Sequence, residues 1–268
     1  TVASLDSALV RVRVTAKDNA NNTASDQSDN LFTVDSTAPA FSNVVLTNSI
    51  LSITTLVKNG DTVVLTATIT DNLLQALLAT GNITADFTNI TNNAGDNAVQ
   101  PTSYNPANGA AVWNFKTTAG TANGNLSLSI TATDAAGNAA TFTNTAIIVA
   151  DNAAPTITTA TLTAPSASGL IFAGGSAQNI TWNQAQITDA NLAANPITLE
   201  YTTDGSNYTQ IATNESNDGT FAWILPSLNS QTVKVRITAR DNVALTATDS
   251  SDNNFTIDST PPTVPANA

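Results

Sequence analysis

Val10-Arg11-Val12-Arg13-Val14 alternates apolar and basic side chains, and 223 residues later Val233-Lys234-Val235-Arg236-Ile237 repeats the pattern. A period of two sends successive side chains to opposite faces of an extended chain, so both runs predict strands buried on one side only. They belong to a longer internal repeat: Ser4 to Pro39 aligns without gaps on Ser227 to Pro262, with 22 of 36 positions identical. A looser third copy, Ser127 to Pro155, keeps the plan of alternating strand, Asp-containing turn, second strand and Asp-x-x-x-Pro exit.

The exits Asp35-Ser36-Thr37-Ala38-Pro39, Asp151-Asn152-Ala153-Ala154-Pro155 and Asp258-Ser259-Thr260-Pro261-Pro262 predict linkers. Proline cannot continue a ladder, and Asp, Ser and Asn favour turns. Residues 1–37 then supply the C-terminal strands of a truncated domain, 38–152 and 153–262 are full domains, and 263–268 begin another linker or domain. Thr1 opens the chain without Met, and the expectation is a stretch of a longer array. Further strands are predicted at Thr62–Thr70, Ala111–Lys116, Leu126–Ile130, Asn179–Gln184, Pro196–Thr203, Tyr208–Thr213 and Thr220–Ile224, with Asp204-Gly205 as a hairpin turn. Short, turn-punctuated strands without a helical period predict an all-β fold of tandem β-sandwich domains joined end to end, which the resemblance described below implies are immunoglobulin-like. Trp113, Trp182 and Trp223 are expected in the cores.

Composition narrows the chemistry. Of the 20 acidic residues only Glu200 and Glu215 are glutamates, there are 8 basic residues, the net charge is −12, and His, Cys and Met are absent. That excludes disulfides, thiolate and imidazole metal sites, and catalysis by cysteine or histidine. An acidic chain is unsuited to nucleic acid, which demands clustered Lys and Arg, and no run approaches the ~18 apolar residues of a membrane span. Cations are the charged partners that remain.

Several stretches carry a family resemblance. Gly60-Asp61-Thr62 leading into VVLTATITDN, then TATDAAGN at Thr131–Asn138 and the Asp-x-x-x-Pro exit, resemble bacterial immunoglobulin-like repeats of large cell-surface proteins. AGGSAQNITWN, LEYTTDGSNYTQIA, NDGTFAWILP and SDNNFTID resemble fibronectin type III-like modules of secreted bacterial proteins. The resemblance implies such a sandwich fold and an extracellular or cell-surface, bacterial setting, in adhesins, surface layers, filaments or the accessory regions of secreted enzymes. It does not choose among them, because function lives in sites rather than folds.

In an immunoglobulin-like sandwich the BC and FG loops lie at the end where the preceding linker enters. Asp35, Asp71, Asn72, Asp134 and Asn138 are therefore expected to meet at one junction, and Asp151, Asn152, Asp189, Asn191, Asp241 and Asn242 at the next. Carboxylate and amide oxygens suit Ca²⁺, and crowded carboxylates would otherwise repel. The Asp- and Asn-rich linkers are similar to cadherin-type junctions, although no EF-hand spacing occurs. The competing reading is that these residues make turns and face water. Asp26, Asp29, Asp249 and Asp252, just before the last strands, are expected to solvate a bulge or edge. Glu200 is expected to face outward on its strand and Glu215 to lie in a loop, which leaves no paired carboxylates for glycoside hydrolysis.

The resulting expectation is a non-enzymatic extracellular structural repeat, a segment of a long array forming a filament, surface layer or stalk, with Ca²⁺ stiffening its junctions. Its partners are adjacent repeats or copies of itself, end to end, with no cofactor other than Ca²⁺. The alternatives are a ligand-binding adhesin region and the accessory stalk of a secreted enzyme.

Overall fold

The computed structural model describes residues 4–73, 75–117 and 123–264, and the expected new segment at 263–268 lies largely outside them. The chain divides into two compact units, Thr1–Asp151 and Asn152–Ala268.

The first unit opens with four short strands, β1 (Ser7–Val10), β2 (Arg13–Lys17), β3 (Thr23–Gln27) and β4 (Phe32–Val34). β1 pairs with β4 and β2 with β3, both antiparallel, so residues 7–34 form one interrupted hairpin. There follow β5 (Ala40–Asn48), β6 (Leu56–Val57), β7 (Thr62–Thr70), β8 (Ile83–Asp86), the one-turn helix α1 (Thr88–Thr91), β9 (Ser103–Asn105), β10 (Ala110–Lys116), β11 (Gly124–Thr133) and β12 (Ala139–Ala150). One sheet has the order β5-β7-β10-β9 and the other β6-β12-β11-β8. The parallel β6–β12 pair shows the first strand crossing to the opposite sheet, as in immunoglobulin folds.

Alternation explains how the two sheets share one core. Along β7, Val63, Leu65, Ala67 and Ile69 are buried, and along β11, Leu126, Leu128, Ile130 and Ala132 are, while the intervening residues, Thr, Ser and Asn apart from Val64, point away. Trp113 fills the centre, its ring edge-on to Phe87 at 6.5 Å and its indole N–H donating to the Val99 carbonyl at 3.0 Å. Burial of an aromatic ring of that size is among the largest single contributions to a small core.

The second unit holds β13 (Leu162–Ala164), β14 (Ile171–Ala173), β15 (Ala177–Trp182), β16 (Leu192–Thr202), β17 (Tyr208–Glu215), β18 (Thr220–Ile224), β19 (Ser230–Asp241), β20 (Thr246–Ser250) and β21 (Phe255–Asp258). Its sheets are β13-β15-β18 and β14-β21-β19-β16-β17, with β20 also pairing β19. Val233, Val235, Ile237 and Ala239 of β19 are fully buried, as the alternation requires, and Trp182 and Trp223 lie in the same core.

Two local expectations are corrected. Asp249 does not solvate an edge: it is buried, and its Oδ2 accepts the Leu162 N–H at 2.8 Å, tying β13 to β20. Glu215 is not in a loop but ends β17, opposite Ile197. The helix α1 and the short strands β6, β9, β13 and β14 carry too few residues for a period to register.

Candidate metal centre

Each FG turn is built around one aspartate. Asp134 Oδ1 accepts the N–H groups of Ala136 and Asn138 at 2.8 and 2.9 Å. Asp241 Oδ1 accepts those of Val243 and Leu245 at 2.9 and 2.8 Å, and Asp18 Oδ1 those of Ala20 and Asn22, both at 2.8 Å. An aspartate that collects the amides two and four residues on closes a tight turn with one oxygen. Its second oxygen is left to face elsewhere.

In the first unit the FG-turn aspartate meets two other acids. Asp35, Asp71 and Asp134 each present a carboxylate oxygen, all within 4.8 Å of one another. The linker contributes Asp35, whose Oδ1 accepts the Thr37 N–H at 3.0 Å. The BC loop contributes Asp71, whose Oδ1 accepts the Leu73 N–H at 3.1 Å. Asp134 is 3% exposed, and the Oδ2 atoms of Asp35 and Asp71 are shielded from solvent. Asn138 fastens the group, its amide donating to Asp134 Oδ2 at 2.8 Å and to the Asp35 carbonyl at 3.0 Å. Asn72, next to Asp71 in the BC loop, is exposed.

The electrostatics are those of crowded like charges. Burial pushes the Asp35 carboxyl above the ordinary carboxylate range, and the neighbouring charges of Asp71, Asp134 and Asp6 push it further, against the Thr37 N–H. Asp35 Oδ2 has no hydrogen-bond partner. Asp6 was not anticipated. Its carboxylate accepts the Thr37 hydroxyl and the Ser36 N–H, the causes that hold it below the usual range. The repeat offered a signal, because Asp6 stands where the second copy has Asn229.

In the second unit, Asp189 and Asp241 bring carboxylate oxygens within the same 4.8 Å. Asp189 Oδ1 accepts the Asn191 N–H at 2.6 Å, and the Asn242 N–H donates to the Asn191 carbonyl at 2.9 Å, so the BC and FG loops are stitched together. The Asn242 side chain turns to the Leu192 carbonyl at 3.4 Å. Asp151 is the last residue of the first unit, where it is buried and donates its N–H to Val57. Asn152 opens the second unit.

Glu200, one of the two glutamates, has a structural partner. Arg236 donates to Glu200 Oε2 through Nη2 at 2.7 Å and Nε at 3.0 Å, with its guanidinium 3.5 Å over the Tyr208 ring. Such a forked, stacked pair is a cross-strand clamp rather than a reactive dyad. No helix among the described residues is long and apolar enough to cross a membrane.

No family model matches the chain, and no curated protein matches it. Solved structures do. A Ca²⁺-stabilized adhesin that helps an Antarctic bacterium reach out and bind ice is 20% identical over 92% of this chain and 56% of its own, with a TM-score of 0.44. Fibronectin domains 1–3 of chicken CNTN1 are 12% identical over 89% of this chain and 76% of theirs, with a TM-score of 0.34. The Ig1-2 module of the Drosophila receptor protein tyrosine phosphatase DLAR is 13% identical over 83% of this chain and all of its own, with a TM-score of 0.28. Similarities of this size say nothing about activity. The strand orders and the crossing first strands of both units make the chain a tandem of immunoglobulin-like and fibronectin type III-like β-sandwiches.

Proposed function

We propose that the chain is a non-enzymatic, extracellular structural repeat, a segment of a long bacterial array, and that a divalent cation, Ca²⁺, stiffens it where linker, BC loop and FG loop converge. The observation that carries the reading is the trio Asp35, Asp71 and Asp134, whose oxygens lie within 4.8 Å while Asp35 is held protonation-prone by burial and like charge. Ca²⁺ takes six to eight oxygens at about 2.3–2.6 Å, so three carboxylates converging on one point supply the charged half of such a shell. Asp35, Asp71 and Asp134 are the ligands in the first unit. Asp189 and Asp241 play the same part in the second, with Asp151 the sequence counterpart of Asp35. Asn72, Asn138, Asn152, Asn191 and Asn242 shape the loops around them.

Repetition supports the mechanical side of the proposal. Each sandwich closes its own core, and an acidic surface keeps neighbours apart unless cations bridge them. A module of this size is about 40 Å long on the strand rise, so one two-domain period advances about 80 Å when extended. Electron microscopy of the native assembly tests this. A filament, lattice or stalk with an axial repeat near 80 Å is the expected result, and flexible strings ending in a separate globular head would reject it in favour of an adhesin region or an enzyme stalk. Isothermal titration of the chain with CaCl₂ after EDTA treatment tests the ion, and a flat titration at millimolar Ca²⁺ would reject it.

A further inference from the structure

A cavity of about 500 Å³ opens on the outer face of the second unit's larger sheet, at the end where β16 turns into β17. Its walls follow from strand register. Thr202 of β16 stands opposite Tyr208 of β17 on one side and Lys234 of β19 on the other. Side chains directly opposite one another share a face, so Tyr208 and Lys234 flank Thr202, two strand spacings or about 10 Å apart. Thr202 beneath them is 1% exposed. The rest of the lining is polar: Asp204 from the hairpin turn, Thr232 from β19, Ser250 from β20 and Asn254.

These groups are held in place by the protein itself. The Arg236 guanidinium lies 3.5 Å over the Tyr208 ring, and Glu200 anchors it with two hydrogen bonds. Asp204 Oδ1 accepts the Ser206 and Asn207 N–H groups and the Thr202 hydroxyl, Oδ2 accepts the Asn207 amide at 2.7 Å, and these bonds keep the carboxylate ionised. Lys234 donates to the Asp252 carbonyl at 3.4 Å, a long contact that leaves most of its ammonium protons for a ligand. An aromatic wall and polar groups fixed in advance reduce the ordering cost of binding.

The lining selects by charge. An anion would face Asp204 in a chain of net charge −12, a cation would face Lys234, and an apolar molecule would cover hydroxyls and an amide without pairing them. A neutral polyhydroxylated ring suits every wall. Its hydroxyls both donate and accept, and its C–H face packs on an aromatic ring. We propose that this cavity is a binding site for one pyranose unit of a neutral saccharide, seated against Tyr208, with its hydroxyls shared among Asp204 Oδ2, Lys234 Nζ and the Asn254 side chain. The site uses none of the residues assigned to Ca²⁺.

The test is an NMR titration of the full ¹⁵N-labelled chain in EDTA, which keeps cations out of the result. The probes are cellohexaose, laminarihexaose, maltohexaose, xylohexaose and mannohexaose, with hexagalacturonate as the charged comparison. At least one neutral hexaose is expected to shift the backbone amides of residues 204–208 and 232–234 and to saturate at millimolar concentration. Tyr208→Ala is expected to weaken that binding by about 10-fold or more. Asn254→Trp fills the cavity from an exposed position without touching the Tyr208–Arg236 stack, and is expected to weaken it as much. The proposal is overturned if no neutral hexaose moves those amides at about 10 mM, if hexagalacturonate binds in preference, or if binding survives Asn254→Trp unchanged.

Discussion

Asp134→Asn separates the charge of the cluster from its shape. The amide keeps an oxygen for the Ala136 and Asn138 N–H groups, so the FG turn stays closed, but it removes one of three charges lying within 4.8 Å. Two unit charges at that distance repel by about 1 kcal/mol in water and about 3–4 kcal/mol at an effective dielectric near 20. Asp134 is buried, so a dielectric between these limits makes relief from two neighbours about 2–4 kcal/mol, offset by about 1–3 kcal/mol because the Asn138 side-chain amide loses its acceptor and faces the new NH₂. In EDTA the variant is therefore expected to be as stable as the parent or slightly more so. In Ca²⁺ the order reverses. A site with a Kd of about 0.1 mM gains about 1.4 kcal/mol in 1 mM Ca²⁺, about 5 °C in Tm for a unit of this size, and the variant forgoes most of it. Differential scanning calorimetry of both proteins in EDTA and in 1 mM CaCl₂ reads the crossover. If Asp134→Asn lowers Tm equally in both buffers, the aspartate is only a turn residue and the cation reading fails.

Three further outcomes are expected. Trp113→Ala leaves a large cavity between the sheets and removes the indole donor from the Val99 carbonyl, which keeps the Ala85 N–H, costing about 3–5 kcal/mol in chemical denaturation of the first unit while the second unit's transition stays in place. Gly109 has a φ of +72°, and a Cβ there would lie 2.4 Å from the Ile69 carbonyl oxygen, so Gly109→Ala should lower the same transition by more than ~1 kcal/mol, and an unchanged midpoint would contradict the turn geometry. Asp204 is held well below the usual carboxylate range by the Asn207 side chain, the Asn207 and Ser206 N–H groups and the Thr202 hydroxyl. A depressed folded-state pKa stabilises above the unfolded value of about 3.9 and is lost as pH falls below it, so urea unfolding of the second unit should lose stability between about pH 5 and pH 2 to a smaller extent in Asp204→Asn.

Much of the molecule is legible in order of residues alone. Alternation along Val233–Ile237 and Leu126–Ile130 specifies which side chains are buried, because a strand's period of two leaves no freedom once one face meets a core. The repeat itself announces the last hairpin and the linkers. Whether an aspartate is a solvated turn residue, a strand tie or part of a charge cluster is not local information. Asp249 and Asp252 look alike in the sequence, yet one is buried against the Leu162 amide and the other is exposed beside Ser166. Asp35, Asp71 and Asp134 lie tens of residues apart, and their approach to 4.8 Å depends on a sandwich that brings linker, BC loop and FG loop to one end. Val12 and Val14 carry the same pattern as their counterparts Val235 and Ile237, yet the first two are exposed and the second two buried. Periodicity determines which face is apolar; burial is decided by whatever packs against it.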